Sequence, residues 1–393
     1  MYKKTALWRR NRQIYRAFFY PFDGGRLCVY AEGVRRKEAQ MEKGETLEGI
    51  VQPLLRWYDS NARELPWREN KEPYRVWVSE IMLQQTRVEA VKPYFERFLR
   101  ELPTVAELAQ AEEDVLLKLW EGLGYYSRVR NMKKAAQILM EQYGGQFPEE
   151  AEELKKLPGI GDYTAGAISS ISFGRPAPAV DGNVLRVVSR LAEDPRDMGQ
   201  PGLKREVAQG LRQVYPEGRA GDFTQSLMEL GAIVCLPNGA PLCQECPLRE
   251  QCGAFLHGTQ GDFPKKAEKK ARKVQEKTVF LILRQGRLAV KKRDAEGLLA
   301  GLWELPNGEG RLTAEEARAW LEGLGLQVGR LERIKKRKHV FTHVEWRMTA
   351  YRAQCSGEGK GLVWATAEDL ASRIPLPTAF KQFLEDWSEE QEK

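Results

Sequence analysis

From about residue 45 to 255, apolar positions recur every three or four residues. Val78, Ile81, Met82, Val88, Val91, Phe95 and Phe98 follow this spacing, as do Ala106, Leu108, Val115, Leu116 and Leu119, and then Ala135, Ala136, Ile138 and Leu139. A helix buried on one side needs this period, so the stretch predicts a body of ten or so helices. Breaks fall at Pro103, Gly122 to Gly124, Gly144-Gly145 and Pro158 to Gly161. Beyond residue 277 the period shortens. Thr278 to Leu283 and Leu288 to Val290 are β-type runs joined through Gln285-Gly286, and Val340 to Tyr351 and Leu362 to Trp364 predict further strands. Helical patterns cover 313–324 and 378–387. The expected architecture is a multidomain chain: an all-α domain over 45–256 and an α+β domain over 278–387. Residues 257–277 hold seven Lys/Arg and few apolar residues, which predicts an exposed basic linker.

The chain has 393 residues, 42% hydrophobic and 30% charged, enough for two or three domains with their own cores. No stretch approaches the ~18 uncharged apolar residues of a membrane span. The N-terminus lacks a signal-peptide run, so a cytoplasmic chain is expected. The net charge of +7 is concentrated: residues 1–40 hold ten Lys/Arg against three acids, and the remainder is balanced. Bulk charge therefore says nothing about a nucleic-acid partner, and only local patches can. Residues 1–44 read as a basic DNA-touching arm, an Arg-rich transit-like segment or a leader ahead of a start at Met41. Nothing signals an obligate oligomer, and a monomer is the expectation.

Four of the six cysteines fall within 18 residues, Cys235, Cys243, Cys246 and Cys252, while Cys28 and Cys355 stand alone. In an intracellular chain such a cluster argues for metal rather than disulfides. Four thiolates suit structural zinc or an iron–sulfur cluster, and the spacing leaves both open.

Between two helical stretches lies LPGIG (157–161), followed by DYTAGAI (162–168). Gly159 and Gly161 permit a tight turn whose backbone N–H groups open onto the next helix start, an uncharged cradle for a phosphate. Asp181, in VDGNVLR (180–186), precedes a helix with Val184, Leu185, Val187, Val188 and Leu191 on its core side. It can cap that helix and keep an oxygen free for chemistry. Glu80, in VSEIMLQQT (78–86), is by default a surface glutamate. Its position beside Trp77, Ile81 and Met82 can instead desolvate it and raise its pKa, as a general acid requires.

These pieces together resemble the helix-hairpin-helix DNA glycosylases of the endonuclease III superfamily, and most closely its adenine-specific (MutY) branch. The matching segments are LPWR (65–68), VWVSEIMLQQTRV (76–88), WEGLGYYSRVRN (120–131), LPGIGDYTAGAI (157–168), VDGNVLRV (180–187) and ELGAIVC (229–235), then GLLAGLWELP (297–306) and FTH (341–343). The resemblance runs from about residue 45 to 387. It implies a [4Fe–4S] cluster on Cys235, Cys243, Cys246 and Cys252. Seven residues separate the first two cysteines here where the family usually has six, so one loop residue must bulge out.

The resemblance implies removal of adenine mispaired with 8-oxoguanine or guanine in double-stranded DNA, by an enzyme acting in base excision repair and associated with the nucleoid. Chemistry on a base requires taking it out of the stack. In this reading Glu80 protonates adenine at N7 and later helps to activate water. Asp181 stabilises the oxocarbenium-like sugar. Bifunctional relatives carry a lysine where Tyr163 stands, and a phenol cannot form their Schiff base, so the implied enzyme is monofunctional. Tyr163 and Asn183 support the water and Asp181. Arg63, Leu65, Trp67, Arg68 and Gln225 line the adenine pocket, Gln85 and Tyr125 wedge into the duplex, and Gly159 and Gly161 hold a phosphate.

The second domain resembles the Nudix-like domain of the same family. It lacks the acid-rich helix of the hydrolases, so pyrophosphate hydrolysis is not expected. Phe341, Thr342 and His343 match the loop that reads 8-oxoguanine, with threonine where serine is usual. The RIKKRK run (333–338) is expected to contact phosphates. A lesion binder without catalysis would be expected to have lost Glu80 or Asp181, and both are present.

Overall fold

The computed structural model describes residues 5–10, 13–18, 30–267 and 271–388, with side-chain surroundings from Leu47 onward. The side chains of the basic extension, Cys28 among them, lie outside the described residues. Its backbone forms strands β1 (Thr5–Arg10), β2 (Gln13–Phe18) and β3 (Tyr30–Ala31), and helix α1 spans Glu32–Asn61, across the boundary expected at residue 44.

The helical half continues with α2 (Pro73–Leu83), α3 (Val88–Glu101), α4 (Val105–Gln110), α5 (Glu113–Leu119), α6 (Ser127–Tyr143), α7 (Ala151–Leu154) and α8 (Asp162–Phe173). Then follow α9 (Gly182–Leu191), α10 (Leu203–Arg212), α11 (Ala220–Ile233) and α12 (Gly253–Leu256). Local chemistry sets many of these starts. Glu72 accepts from the N–H groups of Tyr74 and Arg75, with Pro73 in the first turn of α2, and Asp181 caps α9. Two apolar cores result. One gathers Trp77, Phe95, Phe98, Trp120 and Leu139, with α2 and α6 through it. The other joins Ile50 and Leu54 of α1 to Val184 and Leu185 of α9 and Phe223 and Leu227 of α11. Each such side chain contributes roughly 1.5–3 kcal/mol of burial. No helix of the described residues is long and apolar enough to cross a membrane.

The second half is a seven-stranded mixed sheet. Its strands are β4 (Lys273–Arg284), β5 (Arg287–Lys292), β6 (Trp303–Glu304), β7 (Asn307–Glu309), β8 (Gln327–Val340), β9 (Val344–Ser356) and β10 (Val363–Ala365), in the order β10-β5-β4-β9-β8 with β6 on β5 and β7 on β4. Helix α13 (Ala314–Gly323) covers one face, and α14 (Ala367–Ser372), α15 (Thr378–Lys381) and α16 (Glu385–Ser388) follow the last strand. Central β4 alternates between two cores: Val279, Leu281 and Leu283 meet Trp346, Phe380 and Phe383, while Phe280 and Ile282 meet Leu321 and Tyr351.

Three expectations differ from this architecture. The linker is shorter, because parallel pairing with β9 gives β4 backbone partners from Lys273 onward, whatever its polar side chains. Upstream, Thr259 is tied to Glu193, and the Met198 N–H donates to the Lys265 carbonyl. The helix expected over 378–387 is two short pieces, α15 and α16. The two halves also share a core: Leu302, from the second half, is fully buried among side chains of the helical half. Lys118 Nζ donates to the Leu370 carbonyl at 2.6 Å, and Glu121 accepts from the Leu376 N–H at 2.8 Å.

Candidate active site

Helix α2 is enclosed by α3 and α8, so every residue from Val76 to Met82 is buried, including Glu80 at 6% exposure. One Glu80 oxygen accepts a hydrogen bond from the Tyr163 hydroxyl, itself 3.9 Å from Met228 Sδ. Loss of water raises the Glu80 pKa to about 7; the Tyr163 hydrogen bond and Arg68 oppose that rise, and the Asp181 charge adds to it.

Asp181 has a different environment. Its Oδ1 accepts from the N–H groups of Asn183 at 2.9 Å and Val184 at 2.8 Å, and its Oδ2 accepts from Asn183 Nδ2 at 2.8 Å. Burial raises this carboxyl too, but the three N–H bonds and the Arg186 charge favour its ionised form. Two neighbouring carboxylates thus have opposed surroundings, a hydrophobic sleeve for one and a helix start for the other. Gly231 makes the approach possible. A Cβ there would lie 2.6 Å from Asn183 Cβ, so only bare backbone lets α11 meet the first turn of α9.

Helix α9 extends this construction to the cysteines. Arg186 donates to Asn183 Oδ1 at 2.8 Å, to the Gly231 carbonyl at 2.6 Å and to the Cys235 carbonyl at 2.7 Å. One turn on, Arg190 donates to Cys235 Sγ at 3.2 Å and to the Leu236 carbonyl at 3.0 Å. Neither arginine is singled out by the sequence reading, although two buried cations four residues apart on an apolar helix are a signal that something polar faces them. Cys235, Cys243, Cys246 and Cys252 line one cavity with Arg190, Val234 and Phe255. Burial pushes the Cys246 thiol up to about 12. Among the described residues, no three His, Cys, Asp or Glu side chains are grouped to hold a single ion.

The residues expected at the base pocket fall into two sets. Leu65 and Trp67 are buried, Trp67 edge-on to Phe95 at 5.5 Å. Arg63 and Arg68 instead converge on Glu229, which the sequence reading gave no role. Arg63 donates to it through Nε at 2.7 Å, Nη2 at 2.9 Å and its backbone N–H at 3.0 Å, and Arg68 through Nη2 at 2.7 Å. Burial alone would raise the Glu229 carboxyl, yet these bonds hold it at about 2. Gln225 lies one turn earlier on α11, the spacing that puts both residues on one face.

In the hairpin, Gly159 has φ +80 and a Cβ there would lie 2.8 Å from Asn131 Cβ, so glycine is required. Gly161 is the residue before α8, with ordinary extended backbone and open space around it. The first N–H groups of α8 lack intrahelical partners, as at any helix start.

Gln85 and Tyr125 both have positive φ, 60 and 47, and Tyr125 is 47% exposed. The Tyr125 hydroxyl donates to Gln85 Oε1 at 2.6 Å and lies 2.9 Å from Thr342 Oγ1. Three predicted residues from both halves thus meet in a cleft of about 720 Å³ that Phe341 and His343 also line. Phe341 packs on His339 and Trp346. The RIKKRK run is part of β8. There Arg337 pairs with Met348 and reaches the Phe383 ring, whereas Lys338 pairs with exposed Arg347, so alternation divides its cations between the two faces.

Residues 78–213 match the family model of the HhH-GPD superfamily of base excision DNA repair proteins, and 278–386 that of the NUDIX domain. The chain is 32% identical to the adenine DNA glycosylase of Mus musculus, with 84% of this chain and 76% of that one aligned. It is 33% identical to that of Homo sapiens, with 84% and 72% aligned. With that of Buchnera aphidicola it shares 32% identity, over 86% of this chain and 97% of the other. A helical domain that brings Glu80 and Tyr163 together beside Asp181, a Nudix-like domain facing it, and likeness over both halves have one reading: the chain belongs to the adenine DNA glycosylases.

Proposed function

We propose that this chain removes adenine mispaired with 8-oxoguanine, or with guanine, from double-stranded DNA, and does so without cutting the strand. The observation that carries the reading is the contrast between Glu80, in an apolar sleeve with its pKa raised to about 7, and Asp181, whose carboxyl accepts the N–H bonds of a helix start that oppose the effect of its burial. With adenine flipped out, Glu80 gives its proton to N7 and the C1′–N9 bond breaks with its electrons going to the base. Asp181 stabilises the sugar cation, and Asn183 fixes its orientation through Nδ2. Water then adds its oxygen to C1′ and returns a proton to Glu80, so the acid is regenerated. Tyr163 holds the Glu80 oxygen and offers no amine, which supports a monofunctional enzyme.

Arg63, Leu65, Trp67, Arg68 and Gln225 enclose the base, and the hairpin around Gly159 and Gly161 receives a phosphate. Gln85 and Tyr125 enter the stack while Phe341, Thr342 and His343 read the opposite base. The Tyr125–Thr342 contact supports this division, and since both residues belong to one chain no second copy is needed. Cys235, Cys243, Cys246 and Cys252 are suited in type and common cavity to a [4Fe–4S] cluster. When bound, such a cluster would supply a structural cross-link to this loop, with no part in the bond-breaking steps.

The test is single-turnover excision on a duplex carrying adenine opposite 8-oxoguanine, with and without alkali. Breaks only after alkali are expected. Breaks without alkali would mean that an amine is the nucleophile, and an intact strand in both would leave a binding protein.

A further inference from the structure

Glu229 is 1% exposed and accepts four hydrogen bonds, three from Arg63 and one from Arg68. A carboxylate clamped between two guanidinium groups is a poor way merely to join a loop to a helix, since well-packed apolar side chains do that as well or better. What it does provide is aim and charge. Through the Arg63 N–H as well as its side chain, Glu229 fixes backbone and guanidinium of the same residue. Arg68 is held further by its own bond to the Arg63 carbonyl at 3.0 Å. Both guanidinium groups are therefore set before any base arrives.

The charge matters because of what lies alongside. Glu80 faces Tyr163 from α8, Asp181 from the start of α9 and Arg68 from the turn before α2. Glu229 faces Arg63 and Arg68, with the Tyr58 ring of α1 on the other side of Arg68 at 5.7 Å. Asp59 and Asp222, farther out, are taken up by Arg219. Glu89 of α3 also acts on Arg63 through its charge, but among the described residues Glu229 is the carboxylate hydrogen-bonded to both arginines. We propose that Glu229 is a positioning residue that aims Arg63 and Arg68 at the flipped base and screens Glu80 from the Arg68 charge, so that Glu80 keeps its proton at neutral pH. This assignment rests on the reading of Glu80 as the acid.

The experiment measures single-turnover adenine excision, at saturating enzyme, against pH for the native protein, Glu229→Gln, Glu229→Asp, Arg68→Met and the Glu229→Gln/Arg68→Met pair. Loss of the charge at 229 is expected to move the alkaline limb of the profile about one pH unit toward acid, a roughly tenfold loss above neutrality that shrinks at low pH. Aspartate is expected to restore most of it. Adding Arg68→Met to Glu229→Gln moves the limb back, and Arg68→Met alone moves it toward alkali. A loss of equal size at every pH would overturn the proposal in favour of a structural clamp. Should Glu229→Gln fail to fold by circular dichroism, an unmoved limb in Arg68→Met overturns it equally. Absence of excision by the native chain would overturn the functional reading and this assignment with it, whereas excision with unmoved limbs overturns the assignment alone.

Discussion

In the helical half, Glu80 sits inside a closed helix bundle, and Asp181 is gripped by three N–H bonds at a helix start. In the sheet half, Thr342 and His343 are exposed between the end of β8 and the start of β9, and Thr342 gains its partner from the opposite domain. The first centre is a preorganised electrostatic environment, where removing water creates the chemistry. On the proposed function the second is a reading surface, where polar groups stay in water until a base replaces it. The comparison predicts that damage to the first destroys turnover, while damage to the second erodes choice of substrate.

The largest effect is expected from Glu80→Gln, which keeps shape and removes the proton. Excision falls by about 10²–10⁴ in a single-turnover assay while duplex affinity by fluorescence anisotropy is retained. Substantial residual excision would remove Glu80 from its role. Next comes pH. On the proposed mechanism Glu80 acts in its protonated form, and with burial raising its pKa to about 7, excision is expected to drop about tenfold per pH unit above that point. The sign for stability follows the same carboxyl. Its folded pKa exceeds its unfolded value, so its stabilising contribution is full below the unfolded value and lost as pH rises through 7. Glu80→Gln is therefore expected to gain on the native chain in denaturant midpoint as pH rises from the unfolded value of 4.5 to about 7, and a difference between the two that stays constant across that window would contradict the buried environment.

At the reading surface, replacing Phe341 and His343 together by Ala is expected to cut the preference for 8-oxoguanine over guanine by about tenfold, roughly 1.4 kcal/mol. The rate on the guanine mispair should change little. An unchanged ratio would mean that this loop does not read the lesion. The smallest effect belongs to Thr342→Val, which keeps the volume and loses the hydroxyl facing Tyr125. One partly exposed hydrogen bond is worth ~1 kcal/mol, so a loss of about fivefold in affinity for the lesion duplex is expected. Tyr125→Phe should then add little to it, and full additivity would show that the two hydroxyls act separately.

Much of the first centre is legible along the chain because it is built from local devices. A cap residue before an apolar helix marks Asp181, and the apolar neighbours Trp77, Ile81 and Met82 mark the burial of Glu80. The Pro-Gly turn before α8 marks the hairpin. Glu229 escaped notice because its partners are more than 160 residues away, and nothing near position 229 announces two arginines. Arg186 and Arg190 escaped for the same reason, since their partners lie across a helix packing. The division of the RIKKRK run depends on strand register, which a polar run does not display.

By itself the sequence determined the helical and strand periods, the hairpin, the grouping of four thiols and the presence of two acids in contexts suited to opposite protonation. These follow from short-range rules of capping, turn geometry and burial. Only the tertiary structure decided that Tyr163 bonds to Glu80, that Glu229 gathers Arg63 and Arg68, and that Tyr125 meets Thr342 across the domain boundary. Those contacts join residues from 83 to 217 positions apart. They exist because two apolar cores and a shared Leu302 bring distant helices and a sheet into register, and no local preference encodes that.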